Sequence, residues 1–453
     1  MSLNHLANRY TCSWPWSIGV LLCDGRMVCG CADPYAKRVL GDTRTSAVAE
    51  IWRGAAASQL RIDMNAGGSD FCGDCPLKLP LPPGQEPPQR DLNAGALPGR
   101  LYIETTAACN ISCFQACCAP ETGITRTRQA GMLDWDLFTR VVDEAGPSLG
   151  RIDFFNYGEA FLHKRAVEMC DYIKTRFPHI YLYTSTNGLA FTDEKVRQLA
   201  RSGIDEVTFS IDGASQDTYV RYRQRGNFDK AIANLRALVD ERDKGGRELP
   251  FVNWRYILFN WNDQDEEMDR ARQLAAEIGI DRLCWEITDH PEDSFSQRFK
   301  PGSDGNARIR NEIWDNSGLG NAIPGMTPRA EIDVHTALPG LPFLVRAAST
   351  LALTTKVRNL SGRAFRKQTS SGRRLVRLGA QLMGAGGELI NRDHARAWLP
   401  EDLAPGAETS VHIEVPIPET PGRYALKFDL VSEGVDWFEA CGSPTITRQL
   451  WVR

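Results

Sequence analysis

From residue 100 to about 290, short apolar runs alternate with amphipathic helical stretches. The runs are RLYIETT, RIDFFNYGE, YLYTSTNG, EVTFSIDG, VNWRYILFN and DRLCWEIT. Between them lie stretches such as TDEKVRQLARSG (192–203), with a Thr cap and a closing Gly, and QDEEMDRARQLAAEIG (264–279), with an acidic first turn. Repeated strand–helix units predict a parallel sheet with right-handed crossovers. About six units predict an α/β fold, a partial TIM-like barrel over 100–290, with functional residues at the C-terminal ends of its strands.

The pattern changes near residue 327. TLALTTKVRNLSG puts Leu351, Leu353, Thr355 and Val357 on one face. VHIEVPIPETPGRYALKFDLVSEGVDWF does the same for Val411, Ile413 and Val415, then for Tyr424, Leu426, Phe428 and Leu430. Turn signals such as APGA and TPGR separate these runs, so 327–453 predicts an all-β sandwich. Residues 291–326, polar and rich in Gly, Asn and Asp, predict a linker. So does the proline-rich stretch 79–99, which reads as extended and partly stiff. Residues 1–78 are cysteine-rich and irregular.

Composition narrows the class. A chain of 453 residues, 42% hydrophobic and 24% charged, fits a globular protein of several domains. A net charge of -4 leaves no footprint for nucleic acid or for a basic membrane surface. No apolar run approaches the ~20 residues of a spanning helix. The start lacks a basic region followed by an unbroken apolar stretch, so a cytoplasmic location is expected. The 13 cysteines are odd in number, which argues against a disulfide framework. Ten of the 13 lie in two clusters, one before residue 76 and one at 109–118, a pattern that more often binds metal.

Cys109, Cys113 and Cys117 follow the first barrel strand in TTAACNISCFQACCAPETG. Three thiolates from one loop suit three irons of a [4Fe–4S] cluster and leave the fourth iron open. A zinc site would more usually recruit a fourth Cys or His. The spacing is C-x-x-x-C-x-x-x-C, and Cys118 comes next, so the third ligand is Cys117 or Cys118, with Cys117 favoured. ETTAACNISC followed by FQACC resembles the cluster loop of the radical S-adenosylmethionine (SAM) superfamily. That loop usually reads C-x-x-x-C-x-x-C, often with Asn after the first Cys, as Asn110 is here. FNYGEAFLH (155–163) resembles the family's Gly-Gly-Glu segment, with Tyr157 in place of the first Gly and Gly158, Glu159, Leu162 and His163 matching.

The resemblance implies that Tyr157, Gly158 and Glu159 contact the amino group of bound SAM. STNG (185–188), with Asn187, and SIDG (210–213) are similar to the next two strand ends; Ser210 and Asp212 share a face that by analogy looks toward SAM. Arg255 and Asn260 on the fifth strand are candidate contacts to SAM or substrate. The implied chemistry is reductive cleavage of SAM to methionine and a 5′-deoxyadenosyl radical, which takes a hydrogen atom from substrate. It needs an electron donor such as flavodoxin or ferredoxin.

In the N-terminal segment, CSWPWSIGVLLCDGRMVCGCADP and FCGDCPLK flank LGDTRTSAVAEIWRG. This resembles an auxiliary-cluster domain of the SPASM or twitch type, which normally follows the barrel and here precedes it. The resemblance implies Cys12, Cys31, Cys72 and Cys75 as ligands of an auxiliary iron–sulfur cluster, with Cys29 as the alternative to Cys31. Zinc suits the same ligands on chemistry alone. Cys23, in an apolar run, reads as core.

Single residues complete the list. In DRLCWEIT, alternation puts Leu283, Trp285 and Ile287 on one face and Cys284, Glu286 and Thr288 on the other, expected to be the lumen. Cys284 is a candidate hydrogen-atom donor or else barrel packing; Glu286 is a candidate acid/base or substrate contact. Cys170 reads as core and Cys441 as structural. LVRLGAQLMGAGGELI, ARAWLPEDLAPG and QLWVR resemble a carbohydrate-binding β-sandwich at the C-terminus of O-antigen ABC-transporter ATPase subunits. There Trp398, Trp437 and Phe438 either stack on sugar rings or pack the core. The expected substrate is therefore a saccharide or a sugar-containing carrier. The alternatives are a peptide-modifying radical SAM enzyme and a non-catalytic, metal-bound glycan-binding scaffold.

Overall fold

The computed structural model describes residues 9–30, 33–72, 75, 77–82, 84–114, 128, 131–289, 291, 293–309, 312–313, 329–334, 341–361, 364–368, 375–433 and 436–453. It divides into two compact units. The first comprises Met1–Ala271, Ile278–Ile280 and His290–Ser294. Its strands include β1 (Ile18–Leu21), β2 (Arg26–Val28), β3 (Val39–Asp42), β4 (Arg100–Ile103), β5 (Ser112–Cys113), β6 (Arg151–Asp153), β7 (Tyr181–Thr186), β8 (Glu206–Ser210), β9 (Arg223–Gln224) and β10 (Phe251–Leu258). Its helices include α1 (Ala55–Asn65), α2 (Trp135–Ala145), α3 (Ala166–Arg176), α4 (Asp193–Leu199), α5 (Gln216–Tyr222) and α6 (Phe228–Lys244).

Strands β4, β6, β7, β8 and β10 pair in that order, all parallel. This is the partial TIM-like barrel arrangement that the strand–helix alternation predicts. A parallel strand covered on both faces is buried throughout, and β8 is buried along its whole length, its polar Glu206, Thr208 and Ser210 included. The helices start where the sequence supplies caps. Asp134 accepts from Leu137 N at 2.9 Å, and Asn227 accepts from Lys230 N at 2.8 Å. Such caps are each worth about 0.5–2 kcal/mol.

The N-terminal segment continues the barrel sheet. β1 runs parallel to β4, while β2 and β3 follow as antiparallel neighbours. The proline-rich stretch is pinned along this segment: Asp91 O accepts from Trp16 Nε1 at 2.6 Å and Arg90 O from Asn65 Nδ2 at 2.7 Å. Extended backbone leaves its carbonyls free for such donors, so a sequence that reads as a linker is laid down as a strap.

The second unit comprises Arg272–Glu277, Asp281–Asp289 and Phe295–Arg453. It holds β11 (Arg282–Ile287), the sixth expected strand, and β12 (Ala330–Val334), β13 (Phe343–Val345), β14 (Thr350–Asn359), β15 (Val376–Gly384), β16 (Leu389–Trp398), β17 (Glu408–Pro416), β18 (Gly422–Ser432) and β19 (Ile446–Val452). One sheet runs β12-β14-β17, and another runs β13-β19-β18-β15-β16. Val357, Val411, Ile413 and Val415 from the first share one apolar core with Leu378, Leu426, Phe428 and Leu430 from the second. The alternation read in the sequence thus marks the inward faces. Two of the three aromatic residues considered for sugar stacking are core: Trp437 is 4% exposed and Phe438 1%. The Trp437 ring fills the space above Gly379, where a Cβ would come within 2.5 Å of it. Trp398 is exposed, with the Arg377 guanidinium 3.6 Å from its ring centroid. Among the described residues no helix is long and apolar enough to cross a membrane.

Candidate cluster and cofactor site

The cluster loop leaves β4 through Glu104, Thr105 and Thr106. Cys109 is half-buried and Cys113 buried. Cys113 is held because β5 pairs antiparallel with β9, which sets Cys113 opposite Arg223. Phe114 N donates to Tyr222 O at 2.8 Å and fastens the same edge. Cys117 and Cys118 lie outside the described residues.

The rim after β6 is laid directly on this loop. Gly158 has φ of 75°, and a Cβ there would fall 2.4 Å from Thr106 O and 2.6 Å from Ala108 O. Glu159 N donates to Ala108 O at 2.8 Å. Only glycine allows that approach, since both colliding atoms are backbone. Tyr157 precedes it, half-buried.

Glu159 turns inward. Its carboxylate accepts from Thr186 Oγ1 at 2.7 Å, Asn187 N at 2.8 Å and Phe161 N at 3.2 Å. Burial pushes its pKa up, and those three donors pull it back down. Asn187 then reaches the cluster loop: its Nδ2 donates to Asn110 Oδ1 at 2.8 Å and lies 3.7 Å from Cys109 Sγ. Burial raises the Cys109 thiol to about 11.

Asp212 also spends both carboxylate oxygens within the protein. Oδ1 accepts from Ile257 N at 2.7 Å and Oδ2 from Arg223 Nε at 2.5 Å. Arg223 Nη1 in turn donates to Cys113 Sγ at 3.3 Å. Burial opposes the Arg223 charge, yet Asp212 and the Cys113 sulfur hold its pKa well above the usual guanidinium value. Ser210 Oγ lies 3.1 Å from both Ser185 Oγ and Arg255 Nη2, joining β7, β8 and β10. Asn260 is exposed and bonds Asp293 O and Ser294 O, so it stands apart from the Ser210–Arg255 pair. Cys284 is wholly buried and Glu286 half-buried on β11, in the second unit. The described residues named above around Cys109 and Cys113 belong to the first unit. Cys170 is core, as expected.

Two anchors of the loop escaped the sequence reading. Glu104 is wholly buried and grips Arg128 through two bonds of 2.7 and 2.9 Å. It also accepts from Cys23 N at 3.2 Å, and Arg128 Nε donates to Pro34 O at 2.6 Å. The other anchor is Arg223, in RYRQRG just beyond SIDG. The signal for both was an ionisable residue in an apolar or rim position beside a motif.

The N-terminal cysteines also converge. Cys12, Cys29, Cys72 and Cys75 occupy one apolar cluster with Leu60, Met64 and Trp16. Cys29, the alternative to Cys31, is among them; Cys31 is outside the described residues. Burial and the neighbouring thiols push Cys29 up strongly and Cys72 to about 11. Arg61 of α1 is 2% exposed; its Nε donates to Pro15 O at 2.8 Å, and its buried Nη2 has no hydrogen-bond partner among the described residues. Its charge neighbour is Cys29. Among the described residues no three metal-type donors already stand at coordination geometry. Four packed thiols beside a buried guanidinium nonetheless suit an anionic thiolate-bound centre, whether iron–sulfur or zinc.

Two family models match the chain. Residues 103–281 match the radical SAM superfamily, and residues 12–76 match SPASM, an iron–sulfur cluster-binding domain. The chain is 37% identical over 185 residues to the tungsten-containing aldehyde ferredoxin oxidoreductase cofactor-modifying protein of Pyrococcus furiosus, covering 40% of this chain and 49% of that protein. It is 28% identical over 204 residues to the mycofactocin maturase of Mycolicibacterium smegmatis, covering 44% and 46%. A Streptococcus suis protein, SuiB, solved with S-adenosylmethionine, aligns at 17% identity and a TM-score of 0.31, over 42% of this chain and 40% of SuiB. The chain thus spans about half the length of the curated relatives it matches. Residues 103–281 form a radical SAM domain, which implies a [4Fe–4S] cluster and SAM, and residues 12–76 form a SPASM domain, which implies auxiliary iron–sulfur clusters.

Proposed function

We propose that this protein is a radical SAM enzyme that removes a hydrogen atom from a peptide substrate. When bound, the cluster and SAM supply a 5′-deoxyadenosyl radical by one-electron cleavage. Cys109 and Cys113 would hold the cluster, with Cys117, or else Cys118, as the third ligand. The rim at Tyr157 and Gly158 offers backbone groups to the SAM amino group, and Ser210 with Arg255 offers polar contacts at the next strand ends. Glu159 and Asp212 act as struts that orient Asn187 and Arg223. The buried strand ends exclude water from a reactive intermediate. The contact of Gly158 with the cluster loop carries this reading, because it costs the chain a forbidden side chain and joins two motifs of one site.

The peptide reading rests on the SPASM domain, a type that often accompanies peptide maturation. A saccharide substrate is the second reading, favoured by the exposed Trp398. A deuterated short precursor peptide encoded beside the protein separates them. The peptide reading expects deuterium in 5′-deoxyadenosine. Deuterium from a labelled saccharide, and none from the peptide, overturns it.

A further inference from the structure

Beyond the cysteines, the short segment α5–β9 carries two buried donors, one of which reaches the cluster loop. Arg223 is the first, 3.3 Å from Cys113 Sγ through Nη1. It cannot swing away, because its Nε is tied to Asp212 at 2.5 Å, and Asp212 is tied to Ile257 N at 2.7 Å. The β5–β9 pairing fixes the same register through the backbone. Tyr219, four residues earlier, is the second. It is 0% exposed, and its hydroxyl is buried without a hydrogen-bond partner among the described residues. Its charged neighbours are Arg223 and Asp212, followed by Cys113 and Cys109. Gly226 makes room for it: a Cβ there would lie 2.5 Å from the ring and 2.9 Å from the hydroxyl. A buried hydroxyl normally has a partner. The missing one here is accounted for if the partner is a sulfur of the loaded site.

We propose that Arg223 and Tyr219 form a hydrogen-bonding wall for the SAM cluster and raise its reduction potential. This rests on the reading above, in which Cys113 is a cluster ligand. Hydrogen bonds to cluster sulfurs stabilise the more negative, reduced state, and outer partners of this kind tune a metal centre as its ligands do. Asp212 balances the Arg223 charge, so the effect comes from the directed N–H rather than from net charge. Both are positioning residues that act through the cysteine sulfurs.

The test uses the full chain reconstituted anaerobically as wild type, Tyr219→Phe and Arg223→Lys. Iron content and a redox titration, followed by the EPR signal that changes on adding SAM, are read for each. The expected result is wild-type iron content with a midpoint potential shifted to more negative values in both variants. Tyr219→Phe leaves the unfolding temperature of the metal-free protein unchanged or higher, since it removes an unsatisfied hydroxyl. A wild-type potential in either loaded variant overturns the proposal. Should Arg223→Lys fail to fold, Tyr219→Phe decides alone. A wild-type protein that takes up no iron overturns the cluster reading itself, which separates the two failures.

Discussion

Gly158 sits against the backbone of Thr106 so closely that a Cβ would come within 2.4 Å of the carbonyl oxygen. A left-handed glycine on one strand end therefore supports the cysteine loop on another. Gly158→Ala adds a clash with two carbonyls to a backbone strain of about 1–3 kcal/mol. The expected outcome is a chain that keeps its N-terminal site but loses about four irons after reconstitution. Iron analysis of the variant against wild type checks this.

Glu159 has three donors on two oxygens. Glu159→Gln keeps the shape but turns an NH2 toward a donor. It should cost about 1–3 kcal/mol, the price of an unsatisfied buried group. Urea unfolding measures the loss, and faster release of iron from the SAM site should accompany it.

Glu104 and Arg128 are a pair with 0% exposure on both side chains. Removing one partner leaves a buried charge, so Arg128→Met should destabilise the first unit by about 3–5 kcal/mol. The double variant Glu104→Gln/Arg128→Met should recover part of that loss, and a double-mutant cycle reads the difference.

The choice between Cys29 and Cys31 is open to direct test. Cys29 shares its apolar cluster with Cys12, Cys72 and Cys75. Cys29→Ser should abolish the N-terminal metal centre, and Cys31→Ser should retain it, as metal analysis of both proteins would show. The reverse pattern would reassign the ligand.

The second unit carries a pH signature. Burial pushes Asp429 up to about 7, against the pull of backbone bonds from Glu439 and Leu430. A carboxyl raised above its unfolded value stabilises the fold at low pH, and that contribution is lost as pH rises toward about 7. The second unit should therefore unfold at a higher temperature at pH 6 than at pH 8. Calorimetry of wild type and Asp429→Asn checks it, the variant losing most of the difference.

The sequence was legible where one rule decides a position. Period-two alternation marked Val411, Ile413 and Val415 as inward, and all three are buried. Cysteine spacing and the YGE segment pointed to one rim because both follow strands. What it hid were contacts made by distant residues. Nothing local in RYRQRG says that Arg223 will meet Cys113; the antiparallel pairing of two-residue strands does that. Strand alternation gives Asp212 a side, and the motif gives Glu159 a segment, but neither names the donors each carboxylate holds, Arg223 and Ile257 N for Asp212 and Thr186 and Asn187 N for Glu159. Trp437 and Phe438 read as candidate binding aromatics because composition cannot tell a stacked surface ring from a core one. The proline-rich strap was hidden for a similar reason: its carbonyls find their donors in Trp16 and Asn65, far back in the chain.

The most direct measurement is 5′-deoxyadenosine formation from SAM by the anaerobically reconstituted chain under dithionite, with Cys109→Ala/Cys113→Ala as control. The prediction is product from wild type and none from the control, although the control keeps its N-terminal metal. A folded, iron-loaded wild-type protein that forms no 5′-deoxyadenosine would contradict the assignment of radical chemistry.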